Sequence, residues 1–241
     1  MAERRVGTSG WSYGHWRGDF YPDDLTKGKE LEHYATVFDT VELNSSFYHL
    51  PKLQTAQGWH KRTPPGFVFA VKGSRYISHR LKLTDAYEPL QRFIDSIKPL
   101  AEKIGPVLWQ LPPSFGCDQQ RLASFLELKP PDQRWAWEFR DESWFCPEIY
   151  ELLEAHNCAL VWADAPNYPI ETIITADFIY ARLHGHEKLY ASNYSDEQLK
   201  DWAEKLVTAG GEERDIFVYF DNDAAGHAPR NALTLREMLT A

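Results

Sequence analysis

Eight short apolar runs alternate with amphipathic stretches along the chain, and this alternation limits the possible folds more than any other feature. The runs are typical of β-strands and read RRVGTSG, FDTVELN, FVFAVK, VLWQL, RWAWEF, ALVWAD, FIYARLHG and IFVYFDN. Between them, KELEHYATVF places Leu31, Tyr34 and Phe38 on one helical face, and SDEQLKDWAEKLVTAGG carries a capping box at Ser195 and Gln198. Strands that alternate with helices predict an α/β fold with a parallel sheet.

The number of strands favours a barrel over an open sheet. Eight strands that each lead into a crossover predict a single-domain TIM-type (β/α)8 barrel, whereas a doubly wound sheet would more often use about five to seven. A length of 241 residues suits one barrel, so residues 1–241 are expected to form one domain. The stretch APNYPIETIITA between the sixth and seventh strands has two prolines and no helical stripe, which predicts an irregular crossover there.

Charge, cysteine usage and hydropathy restrict the partners and the compartment. The net charge of −9 disfavours broad electrostatic binding of nucleic acid, although a local basic cleft stays open. The three cysteines form no C-x-x-C pair, which argues against a disulfide framework or a cysteine zinc site and for a reducing compartment. No apolar segment follows Met1, and none approaches the length needed to cross a bilayer, so we expect a cytoplasmic protein without a membrane partner.

Polar side chains gather where the predicted strands end, which is where barrels place functional groups. They are Glu42, Asn44, Lys72, Gln110, Glu138, Arg140, Asp164, Arg182, His184, Asp221, Asn222 and Asp223. Because side chains alternate along a strand, residues two apart, such as Glu138 and Arg140, share a face. Helix caps and ion pairs would explain one such strand end. Charged residues at most of them predict a polar pocket, because buried charges are costly unless they pair or meet a ligand.

Seven segments, in order from about residue 5 to residue 233, share the pattern of a known family. They are VGTSGWSYGHWRGDFYP, VELNSSFY, FVFAVKGSRYISH, GPVLWQLPPSF, WEFRDESW, ARLHG and YFDNDAAGHAPRNA. These segments resemble the YecE-like family, also known as domain of unknown function 72. The resemblance implies a TIM-barrel fold independently of the strand count, in a family whose biochemical function is unsettled.

The resemblance also implies a set of characteristic positions. They are Ser9, Gly10, Trp11, Tyr13, Trp16, Glu42, Asn44, Phe47, Tyr48, Lys72, His79, Gln110, Pro112, Pro113, Glu138, Arg140, Trp144, Arg182, His184, Gly185, Asn222 and Asp223. One position departs from the family, in which a histidine usually follows the arginine of an E-x-R motif, whereas this chain has Asp141. If that histidine were an indispensable acid or base, the protein would be inactive or would use another group, such as His184.

The predicted pocket favours a phosphate-bearing ligand, such as a nucleotide, nucleic acid or sugar phosphate, and hydrolysis of a phosphoester if the protein is an enzyme. Cationic side chains are expected to converge on one mouth, where arginine forks match phosphate oxygens. The predicted catalytic residues are Glu42, Lys72, Glu138 and His184. The predicted ligand-binding residues are Trp11, Tyr13, Asn44, Phe47, His79, Gln110, Arg140, Trp144, Asp164, Arg182, Asn222 and Asp223.

Three other functions stay open from the residues alone. A divalent-metal hydrolase or isomerase, by analogy with apurinic-endonuclease and sugar-isomerase barrels, would use Glu42, Glu138, Asp164, His184 and an acid of FDND. No H-x-H or H-E-x-x-H spacing supports it, and no metal ligand is assigned. A glycosidase would pair Glu42 with Glu138, whose pKa values nearby cations would lower. A non-catalytic module would bind nucleic acid or protein through exposed aromatics. The sequence identifies no cofactor and no oligomeric state.

Overall fold

Strands and helices alternate along residues 2–240, the part of the chain that the computed structural model describes. The strands are Arg4–Thr8 (β1), Thr40–Leu43 (β2), Val68–Lys72 (β3), Ile104–Gln110 (β4), Trp135–Glu138 (β5), Cys158–Leu160 (β6), Trp162–Asp164 (β7), Phe178–Leu183 (β8) and Asp215–Phe220 (β9). The α-helices are Glu30–Val37 (α1), Ser45–Tyr48 (α2), Leu53–Arg62 (α3), Tyr87–Ile97 (α4), Gln119–Leu126 (α5), Pro147–Ala155 (α6), Asp196–Gly210 (α7) and His227–Thr240 (α8). Shorter helical turns occupy Gly14–Trp16, Tyr76–Arg80, Lys98–Lys103 and Glu142–Trp144.

The strands pair in parallel and form two sheets within the described residues. One sheet has five strands in the order β2, β3, β4, β5 and β6, and the other has four in the order β1, β9, β8 and β7. The predicted α/β fold with parallel strands is therefore confirmed. The regular pairing does not close the sheets into the predicted eight-stranded barrel.

The predicted sixth strand, ALVWAD, accounts for one of the two gaps between the sheets. It forms two short strands, because β6 pairs with β5 whereas β7 pairs with β8. Val161 lies between them, and its N–H still donates to the carbonyl of Trp137 at 2.9 Å. The chain therefore stays against β5 at the point where the regular ladder stops.

The other gap lies between β1 and β2, where the two strands approach without a regular ladder. Ser9 and Glu42 form an isolated parallel bridge there. A Cβ at Gly7 would lie 2.4 Å from the carbonyl oxygen of Thr40, so only glycine permits this approach. The edge strands β1 and β2 thus lie next to each other without regular pairing.

Alternation along the strands divides the buried apolar side chains into two clusters. The larger one joins the sheets to the helices and contains Val41 and Leu43 of β2. The smaller one combines side chains of both sheets, namely Ala70, Leu108, Ala136, Ala159, Val161, Ala163, Phe178, Tyr180, Phe217 and Tyr219. Polar residues continue this smaller cluster toward the strand ends, because Lys72 lies two residues after Ala70 and Glu138 two after Ala136.

Two further expectations concern the segments outside the sheets. Residues 165–177 connect β7 to β8 without a helix, as the two prolines predicted. The capping box at the start of α7 is also confirmed, since Ser195 Oγ accepts from Gln198 N at 3.2 Å and Gln198 Oε1 accepts from Ser195 N at 2.9 Å. None of the described helices combines the length and the apolar character that a membrane span requires.

Candidate functional site

Arg182, the fifth residue of β8, lies at the centre of a charged cluster that continues the smaller apolar cluster. We call its members Glu42, Glu138, Arg182, His184 and Asp221 the Arg182 cluster. The buried guanidinium donates from Nε and Nη2 to the two oxygens of Glu42, at 3.0 and 2.8 Å, and from Nη1 to Glu138. Nη2 also lies 3.4 Å from Asp221 Oδ2. Although burial opposes its charge, the three carboxylates raise the pKa of Arg182 well above its ordinary value.

Glu42, on β2, has both carboxylate oxygens occupied. Oε1 accepts from Ser9 Oγ at 2.7 Å and Oε2 from the Tyr180 hydroxyl at 2.7 Å, in addition to the two bonds from Arg182. The side chain is fully buried. Glu42 therefore joins β1, β2 and β8, and it presents no open oxygen to a ligand in this arrangement.

Glu138, at the end of β5, holds Arg140 as well as Arg182. Its Oε1 accepts from Arg140 Nε at 2.9 Å. Burial would raise the pKa of this carboxyl, but the charges of Arg182 and Arg140 hold it well below the ordinary value. Glu138 consequently stays ionised and lacks the proton that a general acid must supply.

His184, two residues after Arg182 on the same face, has both ring nitrogens engaged. Nδ1 lies 3.1 Å from Asp221 Oδ2 and Nε2 lies 3.2 Å from Arg182 Nη1. Nε2 also lies 3.7 Å from Glu138 Oε2, so charged groups of the cluster surround both sides of the ring. The histidine is fully buried, and neither nitrogen is free to take a proton from a ligand.

Lys72, the last residue of β3, differs from the other charged groups because its ammonium is not neutralised. Within residues 2–240 it forms no ion pair, and its Nζ lies 4.5 Å from the centre of the Phe47 ring. Burial, followed by the charge of Arg182, lowers the pKa of Lys72 to about 8, against the opposing pull of the cluster's carboxylates. Lys72 is partly buried, so part of the residue stays accessible to solvent.

His79 lies beside Lys72, in the helical turn after β3. Its ring packs edge-on against Phe47 at 5.0 Å, and Nδ1 lies 2.9 Å from Ser78 Oγ. Burial and then the charge of Lys72 lower the pKa of His79 to about 4, with further contributions from nearby arginines. The imidazole is thus neutral near pH 7, mainly because burial disfavours its charged form.

Three tyrosines that the sequence analysis did not single out also belong to the site. The Arg140 guanidinium lies 4.7 Å from the Tyr168 ring, and Tyr190 packs against His184 at 5.6 Å. Tyr180 could have been found by alternation, since it lies two residues before Arg182. Tyr168 and Tyr190 stand in irregular segments, in which no period predicts the direction of a side chain.

Four of the other predicted ligand-binding residues continue or border the same face of the sheets. Gln110 ends β4, two residues after Leu108 of the smaller cluster, and Phe47 lies beneath Lys72. Asn44 follows β2 two residues after Glu42, and its buried Oδ1 has no hydrogen-bond partner among residues 2–240. The Tyr13 hydroxyl donates to the carbonyl of Ser9, and burial together with Asp221 raises its pKa.

Asp164 and Trp144, which the sequence placed in the pocket, point elsewhere. Asp164 accepts from Trp202 Nε1 and lies against His186, both at 3.1 Å, because its neighbour Ala163 takes the inward position on β7. Trp144 is buried in the larger cluster, where its ring stacks on Phe139 at 4.8 Å and an angle of 3°. Neither side chain joins the Arg182 cluster.

Asn222, Asp223 and Trp11 also have partners outside the cluster. Asn222 donates to Asn231 at 2.8 Å and to the carbonyl of Ser192 at 3.0 Å. Asp223 accepts from the indole N–H of Trp16 and lies 3.0 Å from the ring of His15. Trp11 packs edge-on against Trp59 and Phe69 in the larger cluster. These positions support the loops around the strand ends.

Asp141, which stands where the related family usually has histidine, has a local role. Its Oδ1 accepts from the backbone N–H of Ser143 at 3.0 Å and from the hydroxyl of the same residue. These hydrogen bonds lower the pKa of Asp141, which stays ionised and caps the turn Glu142–Trp144. This side chain takes no part in the Arg182 cluster.

A metal centre requires several ligands that face one point. Among the described residues, no group of three or more His, Cys, Asp or Glu side chains is arranged to hold a metal ion. Of the acids that the metal hypothesis needs, Glu42 and Glu138 accept from Arg182, and Asp164 turns toward α7.

Comparisons with known proteins match nearly the whole chain to one family. A family model described as "Protein of unknown function DUF72" matches residues 5–241. The UPF0759 protein YunF of Bacillus subtilis is 27% identical over 267 aligned positions, which cover 97% of this chain and 94% of that protein. The UPF0759 protein YecE of Escherichia coli K12 is 31% identical over 142 positions, covering 58% and 49%.

Two solved structures share the fold. A DUF72 family protein from Thermotoga maritima superposes with a TM-score of 0.90 and 32% identity, covering 99% of this chain and 100% of the other. A DUF72 family protein from Enterococcus faecalis superposes with a TM-score of 0.83 at 23% identity, covering 99% and 96%, which supports the fold alone.

Proposed function

This chain belongs to the DUF72 family, and from that premise we propose that it binds an anionic, phosphate-bearing ligand at the carboxyl ends of its strands. The family description names no activity, so the proposal rests on the charged groups themselves. Its main support is that the cations differ in how many of their hydrogen-bond donors are already used. The hydrogen-bond donors of Arg182 are taken up by carboxylates, whereas Lys72 and Arg140 keep N–H donors that no residue from 2 to 240 uses.

Arg140 lies nearer to solvent than two of the three carboxylates that balance the cluster. The side chain of Arg140 is 12% exposed, while those of Glu42 and Glu138 are 0% and 1% exposed. An approaching anion therefore meets the cations of Lys72 and Arg140 before these two carboxylates. Asp221 is the exception at 21% exposure, and its charge is partly offset by two donors of the cluster.

Arg140 has the geometry to bind an anion at two points. Its Nε donates to Glu138, and the Tyr190 hydroxyl also lies within hydrogen-bonding reach of the guanidinium, which still leaves Nη donors for oxygens of a ligand. The guanidinium carbon lies 4.7 Å from the centre of the Tyr168 ring, and this cation–π contact restricts the orientation of the side chain. A preoriented fork binds phosphate oxygens with a smaller loss of side-chain entropy.

Aromatic rings next to the cations would exclude water from such a ligand. Phe47 lies under Lys72, and Tyr190 stands beside His184. Removal of water strengthens an interaction between opposite charges, because the local dielectric constant falls. Burial and then the charges of Lys72, Arg75 and Arg140 lower the pKa of His79, which places three cations near this part of the site.

We also infer that the two sheets form one closed barrel in a single domain, which would make the site its mouth. Three contacts support closure: the hydrogen bond of Val161 to β5, the bridge between Ser9 and Glu42, and the ion pair of Glu42 with Arg182. The first two join the sheet edges. The third connects the five-stranded sheet to the four-stranded one through the interior.

Hydrolysis of a phosphoester stays a prediction from the sequence. Three of the four predicted catalytic residues, Glu42, Glu138 and His184, have their polar atoms engaged by Arg182. A general base needs a free lone pair within reach of the proton that it abstracts. The geometry therefore supports binding more strongly than it supports a hydrolytic step.

Thermal unfolding in the presence of matched compounds tests the proposal. Nucleotides and sugar phosphates are compared with the corresponding nucleosides and sugars, because a ligand that binds only the folded state raises Tm. We expect at least one phosphorylated compound to raise Tm more than its unphosphorylated counterpart, and this gain to be lost in Arg140→Gln.

Arg134→Gln is the matched control, because Arg134 pairs with Asp215 at the start of β9, away from the Arg182 cluster. This variant should keep the full gain in Tm. The proposal fails if no phosphorylated compound raises Tm more than its unphosphorylated counterpart. It also fails if the gain in Tm is the same in Arg140→Gln and Arg134→Gln.

A further inference from the structure

We propose that the ligand of this site carries an aldehyde or ketone carbonyl, and that Lys72 Nζ condenses with this carbonyl to form an iminium. The inference rests on the proposed function, because Arg140 would hold the anionic group of the ligand while its carbonyl lies at Lys72. It adds a covalent step and narrows the ligands to phosphorylated carbonyl compounds.

Position is the first support. Lys72 continues the inward face of β3 two residues after Ala70, so it stands at the strand end among the groups of the Arg182 cluster. It is partly buried and keeps some accessible surface. Of the four predicted catalytic residues it alone has a side chain that forms no hydrogen bond or ion pair within the described part of the chain.

The ring of Phe47 is the second support, because its face would stabilise the product as well as the free lysine. The ammonium lies 4.5 Å from the ring centre, within the range of a cation–π interaction. An iminium keeps the positive charge at the same nitrogen. The site would thus change little when the nitrogen becomes bonded to the ligand.

The electrostatic surroundings assist the same step. Burial and the charge of Arg182 lower the pKa of Lys72 to about 8. The other charged and titratable groups around it are Glu42 on β2, His79 after β3, Glu138 and Arg140 at β5, and Asp221 after β9. At pH 7.5 roughly a quarter of the amine is then neutral and nucleophilic, against about 0.1% for an ordinary lysine.

The step is balanced without any oxidant or reductant. The nitrogen lone pair attacks the carbonyl carbon and forms a C–N bond, giving a carbinolamine. The carbinolamine C–O bond then breaks, and the oxygen leaves as water with the two protons that the original ammonium loses. Ammonium and carbonyl thus give iminium and water, and the positive charge is conserved.

Reductive trapping tests the inference directly in the whole protein. Glycolaldehyde phosphate, or glycolaldehyde as its uncharged counterpart, is added at pH 7.5 with cyanoborohydride, which converts an iminium into a stable secondary amine. Peptide mass mapping then gives the extent of labelling at Lys72 and at Lys200, an exposed lysine of α7. We expect Lys72 to be labelled at least tenfold more than Lys200, and more by the phosphorylated probe.

Two variants separate this inference from the proposed function. Lys72→Arg keeps the cation but has no nucleophilic amine, so it should still bind inorganic phosphate and lose the label at position 72. Arg140→Gln should lose the preference for the phosphorylated probe. The near-ultraviolet circular dichroism of each variant, compared with that of the unsubstituted protein, establishes that it is folded.

The outcomes are distinct. Phosphate binding without preferential labelling of Lys72 overturns the iminium and leaves the proposed function standing. Strong labelling of Lys72 by both probes to the same extent supports the iminium and contradicts the binding of phosphate. Labelling of Lys72 that does not exceed that of Lys200 overturns the inference in either case.

Discussion

Arg182 and Glu42 form a two-point ion pair between the two sheets, with Nε and Nη2 at 3.0 and 2.8 Å from the carboxylate oxygens, and both side chains are fully buried. The loss of hydration of two such ions costs several kcal/mol each unless every donor and acceptor is satisfied. Ser9 and Tyr180 complete the coordination of the carboxylate. This pair fixes the framework that holds Arg140 and Lys72 at the surface of the site.

Replacement of Arg182 by methionine should lower the free energy of unfolding by about 3–5 kcal/mol, because it leaves Glu42 and Glu138 buried without their cation. Urea denaturation followed by circular dichroism measures the change. Arg134→Met is the control, since Arg134 forms partly exposed pairs that contribute about 1 kcal/mol or less. A loss in Arg182→Met no larger than in the control would contradict the importance of the buried pair.

Tyr180→Phe should destabilise the protein by about 1–3 kcal/mol, because a buried carboxylate loses one of its donors. Tyr219→Phe provides a matched comparison. Tyr219 is also fully buried, and its hydroxyl pairs at 2.7 Å with the neutral hydroxyl of Thr40. Denaturation should show a larger loss of unfolding free energy for Tyr180→Phe than for Tyr219→Phe. Equal losses would argue against a charged partner for the Tyr180 hydroxyl.

Stability should fall below pH 6.5 because of His79. Its pKa is about 4 in the folded protein and near 6.5 in the unfolded chain, so the unfolded state binds more protons between these values. The free energy of unfolding therefore decreases as pH falls from 6.5 to 4, by about 1–3 kcal/mol after allowance for partial exposure. The difference between the unsubstituted protein and His79→Gln isolates this contribution. A difference that is constant over this pH range would contradict it.

Asp164→Ala should separate stability from ligand binding. The variant removes the acceptor of Trp202 and leaves a buried indole N–H unpaired, at a cost of about 1–3 kcal/mol. The rise in Tm that a phosphorylated ligand causes should stay unchanged, because Asp164 points away from the Arg182 cluster. A lost ligand response would instead favour the hypothesis in which Asp164 belongs to the pocket.

The sequence predicted the strands well because each is a short apolar run bounded by polar residues. All eight runs contain strands, and the outward positions of Val41 and Leu43 follow from alternation with Glu42. The break at Val161 could not be predicted, since valine continues an apolar run and the run does not show which neighbour each half pairs with. Pairing depends on tertiary geometry.

The candidate site was predicted in part. Alternation correctly grouped Arg182 with His184 and Glu138 with Arg140, because those strands are regular. Alternation did not predict the direction of the Asp164 side chain, because that direction depends on a strand register that the sequence does not specify. The sequence also did not show that carboxylates occupy the donors of Arg182, because ion pairs between strands that are distant in sequence leave no local pattern.

Calorimetric titration of inorganic phosphate at low ionic strength is the most direct test of anion binding at this site. The unsubstituted protein and Arg134→Gln should bind phosphate with the same affinity, and Arg140→Gln should bind about tenfold or more weakly, since hydrogen bonds to charged groups contribute about 1.5–3 kcal/mol. Equal affinity in Arg140→Gln and the unsubstituted protein, or no heat of binding in the unsubstituted protein, would contradict the proposed site.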